Sequence, residues 1–279
     1  MKIKILGSGG GEAYPATFCG CDHCNEARRA GGKSIRTLSQ TLINDDLLID
    51  LPADTAEHAR RFGLNLGDVA SILVTHTHLD HFVPQPLFLR GGVYAHNIKE
   101  PELTIYGSSD IGRVFGAVES VYGCIDEIKN TMHFDEIKAY ETKNIGRYKV
   151  TALPAKHAPQ LTPLNYIIEE GDKTLIYFHD TGFPEMAVLD FIKGRRFKAD
   201  AVLLDATMGV GEESYFFHMS FAENKRLVEI LKKLGIATDK TLFVANHITH
   251  NKAPKHEEIE QIFSDTDILV SYDGMEIEI

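Results

Sequence analysis

The segment Thr75-His76-Thr77-His78-Leu79-Asp80-His81 places three imidazoles and a carboxylate within six positions, directly behind the apolar, β-rich run Ser71 to Thr75. Alternation along an extended chain puts His76 and His78 on one side, and the turn that follows can carry Asp80 and His81 to a second point nearby. Imidazole nitrogen and carboxylate oxygen are the donors that zinc, manganese and iron accept, and H-x-H-x-D-H concentrates them beyond what a packed core requires. The segment therefore predicts a strand end built around two neighbouring metal positions.

The rest of the chain reads as mixed α/β. Lys2 to Leu6 alternates as a first strand and runs into Gly7 to Gly11, read as a turn with positive φ; it matches neither a P-loop nor a dinucleotide fingerprint. Asn44-Asp45-Asp46 marks a hairpin between Thr41 to Ile43 and Leu47 to Ile49, and Ala56 to Phe62 reads as a helix closed by Gly63. Further strands are expected at 103–106, 148–153, 165–169, 174–178, 201–205, 242–245 and 268–271. Ser220, with Glu223 three residues on, should cap a helix whose apolar face is Leu227, Ile230, Leu231 and Leu234. With 43% hydrophobic and 25% charged residues over 279 positions, a single unit spanning 1–279 is the expectation.

Twenty-nine basic against 40 acidic residues give a formal charge of -11, which argues against a surface that tracks a nucleic-acid backbone. No apolar run reaches membrane-spanning length, and no leader-like segment opens the sequence, so the expected address is cytoplasmic. Cys19, Cys21 and Cys24 are too crowded for a secreted disulfide framework and read as metal-binding thiols. Cys124 reads as a small buried apolar residue.

H-x-H-x-D-H is the motif by which members of the metallo-β-lactamase superfamily are identified, and this chain resembles them. The resemblance implies a four-layer αββα sandwich and later ligands at three strand ends, matched here by His157, Asp180 and His247. It assigns His76, His78 and His157 to one metal, Asp80, His81 and His247 to the other, and Asp180 as the bridge. His179 is not counted a ligand, because neighbours on a strand point to opposite faces.

Within the superfamily the chain is most similar to the phosphoribosyl 1,2-cyclic phosphate phosphodiesterase family of the carbon–phosphorus lyase pathway. The shared features are the Gly7 to Gly11 loop, Cys19-Gly20-Cys21-Asp22-His23-Cys24, Asp180-Thr181-Gly182, His218, His247-Ile248-Thr249-His250 and Asp273-Gly274-Met275-Glu276-Ile277. What this implies is a metal-dependent phosphodiesterase with two catalytic divalent metals (zinc or manganese, or iron) and one structural zinc on Cys19, Cys21, Cys24 and His250. Asp80, Asp180 and His218 are the implied catalytic residues, His218 as proton donor to the leaving oxygen, and a homodimer is the implied assembly. His23 is expected to face solvent. Asp205 and Asp273 are read either as acceptors that hold ligand imidazoles or as ordinary turn carboxylates. The segment Ala95 to Glu141 is longer than the family pattern and is expected to shape the mouth of the site. Two other readings share part of the signature: an RNA nuclease of the same fold, and the cysteine-marked protein of pyrroloquinoline quinone biosynthesis, which would make the chemistry oxidative.

Overall fold

The structure, a computed structural model, describes residues 1–211 and 216–279. Two seven-stranded sheets face each other. The first contains β1 (Lys2–Gly7), β2 (Gln40–Ile43), β3 (Leu47–Ile49), β4 (Ser71–Leu73), β5 (Leu103–Gly107), β6 (Met132–Glu136) and β14 (Met275–Glu278), in spatial order β14-β1-β2-β3-β4-β5-β6. The second contains β7 (Thr142–Ile145), β8 (Tyr148–Pro154), β9 (Leu164–Glu170), β10 (Lys173–Phe178), β11 (Ala201–Asp205), β12 (Leu242–Asn246) and β13 (Ile268–Val270), in sequential order. Antiparallel pairs open each sheet, and parallel pairs join β3 to β6 and β10 to β13. Parallel pairing requires crossovers, and their helices cover the outer faces.

Alternation decides which side chains meet between the sheets. Ile3, Ile5, Ile49 and Leu73 from the first sheet meet Val150, Tyr166, Leu175 and Leu203 from the second in one buried cluster. Each such side chain contributes roughly 1.5–3 kcal/mol of burial. The outer face of the first sheet packs on α2 (Thr55–Phe62), α3 (Ser109–Tyr122) and α4 (Asp126–Lys129) through Phe62, Ile111, Phe115 and Ile128. The outer face of the second packs on α1 (Asp22–Ala30), α5 (Met186–Gly194), α6 (Phe221–Lys233) and α7 (His256–Ile262) through Ala27, Leu189, Leu231 and Ile259. The result is the four-layer αββα sandwich. No helix among the described residues is long and apolar enough to cross a membrane.

Several local expectations hold. Asn44 and Asp45 take φ of 47° and 69°, the double positive that a tight hairpin needs. Ser220 Oγ accepts from the Glu223 N–H, and the Glu223 carboxylate accepts from the Ser220 N–H, a complete capping box on α6. The glycine loop is different: Gly7, Gly9, Gly10 and Gly11 are not among the positive-φ residues. Its glycines serve close approach, since a Cβ on Gly7 would stand 1.9 Å from the Leu38 carbonyl oxygen and one on Gly10 2.6 Å from Thr249 Cγ2. Cys124 is half-buried rather than buried, at the margin of the α3–α4 layer.

Asp273 is a clamp and touches no ligand-type imidazole. It accepts from Ser8 N–H and Oγ–H at 2.9 and 2.7 Å and from Thr37 N–H and Oγ–H at 2.8 and 2.7 Å. The buried Arg36 guanidinium donates to Ser271 O at 2.6 Å and Ser8 Oγ at 3.0 Å. Together they fix the glycine loop against the strand ends that build the site.

Candidate metal centre

Five strands of the two sheets deliver functional side chains to one edge. Asp50 follows β3, Thr75 to His81 follow β4, His157 follows β8, His179 and Asp180 follow β10, and His247 follows β12. Three of these residues take left-handed backbone angles: Asp50 at φ 65°, Asp180 at 44° and His247 at 60°. Such conformations cost of order 1–3 kcal/mol each in non-glycine residues and persist where surrounding contacts over-determine them.

Three groups of ligand-type atoms include Asp180: one with Asp205, His218 and His247, and the two that carry the sequence-assigned residues. In the first of those two, His78 Nδ1 lies 2.9 Å from His76 Nε2 and 3.1 Å from His157 Nε2, while Asp180 Oδ2 lies 3.3 and 3.7 Å from those two Nε2 atoms. In the second, His81 Nε2 lies 3.3 Å from His247 Nε2, 3.0 Å from Asp80 Oδ2 and 2.9 Å from Asp180 Oδ2, with His247 Nε2 3.5 Å from Asp80 Oδ2. Within each group the candidate ligand atoms fall within 4.8 Å of one another. Nitrogen and oxygen ligands of one tetrahedral zinc stand roughly 3.3–3.5 Å apart, and the quoted spacings, 2.9–3.7 Å in the first group and 2.9–3.5 Å in the second, bracket that edge with several shorter than it. All seven sequence-assigned residues are thus brought together, partitioned as the resemblance implies.

The chemistry of the donor set fits divalent cations. Five imidazoles turn ring nitrogens towards each other, and Asp180 Oδ1, buried, makes no hydrogen bond among the described residues although His247 Nδ1 is 3.2 Å away. Burial pushes the His76 imidazole well below its usual pKa, keeping it in the neutral form a metal accepts. Burial alone would raise the Asp80 and Asp180 carboxyls, but the surrounding imidazoles outweigh it and hold both well below the usual range.

Partners behind the imidazoles orient them, and sequence reasoning missed three. Asp50, fully buried, sets Oδ2 2.7 Å from His81 Nδ1 and accepts from the Thr75 N–H at 2.7 Å. Thr75 Oγ1 lies 3.1 Å from His76 Nδ1, and Thr207 Oγ1 2.8 Å from His247 Nδ1. Metal-ligating histidines commonly have such partners, which fix the tautomer and ring plane. The one available signal was a carboxylate directly behind the expected strand 47–49. His179 turns away to Asn246 Nδ2, 3.1 Å, and Ser39 Oγ, 3.4 Å, and belongs to none of these groups.

His218 precedes α6 with Nδ1 3.3 Å from Asp205 Oδ2 and 3.4 Å from Asp180 Oδ1. Burial lowers its pKa, but Asp205 and Asp180 prevail and lift it to about 9. Asp205 therefore serves His218, and also receives the Met219 N–H at 2.9 Å.

Cys19, Cys21, Cys24 and His250 form a separate group. His250 Nδ1 lies 3.5 Å from Cys21 Sγ and 3.7 Å from Cys19 Sγ, close to the roughly 3.6 Å sulfur–nitrogen edge of a tetrahedral zinc site. A hydrogen bond from the Cys24 N–H, aided by His250, lowers the Cys21 thiol to about 6, whereas burial raises Cys24 to about 11. Both groups border one cavity of about 740 Å³, whose wall includes Cys21, His78, Asp80, His218, His250 and Lys252. His23, expected in solvent, is half-buried and lines the same cavity. No residue of 95–141 reaches it: that segment instead builds β5, α3, α4 and β6 at the far edge of the first sheet.

The family model described as "Beta-lactamase superfamily domain" matches residues 46–248, which contain all three groups that include Asp180. The chain belongs to the β-lactamase superfamily. The hydrolase class and the metallo-β-lactamase fold expected from the sequence both stand on this membership. Coenzyme PQQ synthesis protein B of Acinetobacter baylyi is 24% identical over 322 aligned positions covering 100% of both chains. Among solved structures, a diphosphatase of the PhnP family superposes with a TM-score of 0.75 at 21% identity, over 100% of this chain and 97% of that one. Zn(2+)-bound PqqB from Methylobacterium extorquens superposes with a TM-score of 0.70 at 18% identity over 100% of both. At these identities the structural likenesses establish the superfamily fold.

Proposed function

We propose that this superfamily member hydrolyses a small phosphodiester, cyclic or linear, with phosphoribosyl 1,2-cyclic phosphate among the candidates, at a centre of two divalent metals. The observation that carries this reading is Asp180 Oδ2, 3.3 Å from His76 Nε2 in one group and 2.9 Å from His81 Nε2 in the other, where a bridging ligand has to be. His76, His78 and His157 would hold one cation, and Asp80, His81 and His247 the other, with zinc, manganese and iron all suited to the donors. When bound, such a pair supplies a nucleophile at neutral pH and positive charge opposite the phosphoryl oxygens.

The chain's own residues do the remaining work. Asp50, Thr75 and Thr207 lock the planes and tautomers of His81, His76 and His247. His218 is held above the ordinary imidazole range chiefly by Asp205 and borders the cavity, which suits it to protonate the leaving oxygen. Cys19, Cys21, Cys24 and His250 would hold a structural zinc that ties α1 to the loop behind His247. The homodimer is part of the same proposal, as is a small-molecule rather than nucleic-acid substrate, which the charge of -11 favours.

The full-length relative named for coenzyme PQQ synthesis favours a second reading, a role in cofactor biosynthesis. Turnover of bis(p-nitrophenyl) phosphate and of a ribose 1,2-cyclic phosphate, beside an Asp180→Ala variant, separates the two. Turnover that vanishes in the variant supports the phosphodiesterase, and metal-loaded protein inert on every diester supports the biosynthetic role.

A further inference from the structure

A second cavity, of about 280 Å³, opens beside the first and shares His157 with it. Its walls include Pro154, Pro159, Leu161, Pro163 and Pro184. Prolines hold fixed backbone angles, so this wall is stiff as well as apolar. Asp110 Oδ2 accepts from the Thr162 N–H at 2.6 Å and pins the loop that carries Leu161 and Pro163.

Phe216 and Phe217 form the lip. Gly182, two residues after Asp180, holds it in place: a Cβ there would stand 2.2 Å from the Phe216 carbonyl oxygen. Phe216 is 59% exposed, a large aromatic surface to leave in water. Lys156 Nζ sits 4.0 Å from the centroid of its ring, and Phe217 stands edge-on at 5.0 Å and 88°. Lys156 forms no ion pair among the described residues.

His157 is shared by the two cavities, with Nε2 3.7 Å from Asp180 Oδ2 in the metal-type cluster.

We infer that this pocket seats the organic arm of the substrate, a planar aromatic base stacked on Phe216, with Lys156 beside the adjoining phosphate. The substrate class is then a nucleoside-type phosphodiester or diphosphate, because a bare cyclic sugar phosphate leaves the pocket unfilled. The inference rests on the phosphoester reading of the metal centre.

The test is calorimetric binding of adenosine 5′-monophosphate and of ribose 5-phosphate to the metal-loaded protein, two probes that share the 5-phosphorylated ribose and differ at C1, where one carries the base and the other a hydroxyl. The expected result is a Kd for the nucleotide roughly tenfold or more below that for the sugar phosphate, the scale of one base on an aromatic platform. In a Phe216→Ala variant, which the exposure of this side chain makes tolerable to the fold, the nucleotide should fall back to the sugar phosphate value. Equal affinities, binding of neither probe, or an advantage that survives in the variant overturns the inference. None of these outcomes depends on turnover, so failure here leaves the diester assay and its Asp180→Ala control to judge the metal-centre reading separately.

Discussion

Asp50→Asn removes one charge from behind the candidate metal centre while keeping the side chain's size. Asp50 is fully buried, with Oδ2 2.7 Å from His81 Nδ1 and Oδ1 receiving the Thr75 N–H at 2.7 Å. An asparagine can keep its oxygen on the Thr75 N–H only by turning its NH2 towards His81 Nδ1. His81 then meets a donor where it had an acceptor, and its ring must rotate or change tautomer. Loss of such a partner typically weakens metal binding 10- to 100-fold, or about 1.4–2.8 kcal/mol. The effect should fall on the position formed by Asp80, His81 and His247, leaving that of His76, His78 and His157 near the wild-type affinity. Titration of apo-protein with zinc against a chromogenic chelator resolves the two positions, and a thermal melt checks the fold. Two wild-type affinities in the variant would refute the view that Asp50 sets His81 for its role.

His218→Asn should lower kcat roughly 10²- to 10⁴-fold, the usual worth of a general acid, with metal content unchanged; steady-state kinetics beside elemental analysis checks both. His250→Ala should release one zinc per chain and lower the melting temperature while the pair around Asp180 stays loaded, because the cysteine group shares no residue with it. Ser220→Ala deletes the side-chain half of the α6 cap. It should cost about 1 kcal/mol and about 2–4 °C in Tm, read by differential scanning calorimetry.

The parts of the site legible in the sequence are those encoded locally. His76 to His81 declare themselves because one strand end and one turn carry four ligand-type residues. His157, Asp180 and His247 are single residues behind separate strands, and only the resemblance to a known ligand order selects them. Asp50 and Thr207 escaped because their partners lie 31 and 40 residues away and nothing local marks a carboxylate or hydroxyl as an orienting group. The strands that run between two packed layers were readable from their apolar runs. β6, β7 and β14 were not: all three end their sheets and are partly exposed, so their burial alternates weakly. α3 carries Gly112 and Gly116 inside and Val121 and Tyr122 exposed at its end, which blurs the helical period.

The central claim is that two metals share Asp180 while a third is enclosed by the cysteine group. Elemental analysis of protein purified without added chelator, beside Asp180→Ala, tests it most directly. The account predicts about three metals per chain in the wild type and about one, zinc held by the cysteine group, in the variant. A metal-free wild-type protein, or a variant that keeps its full complement, would contradict it.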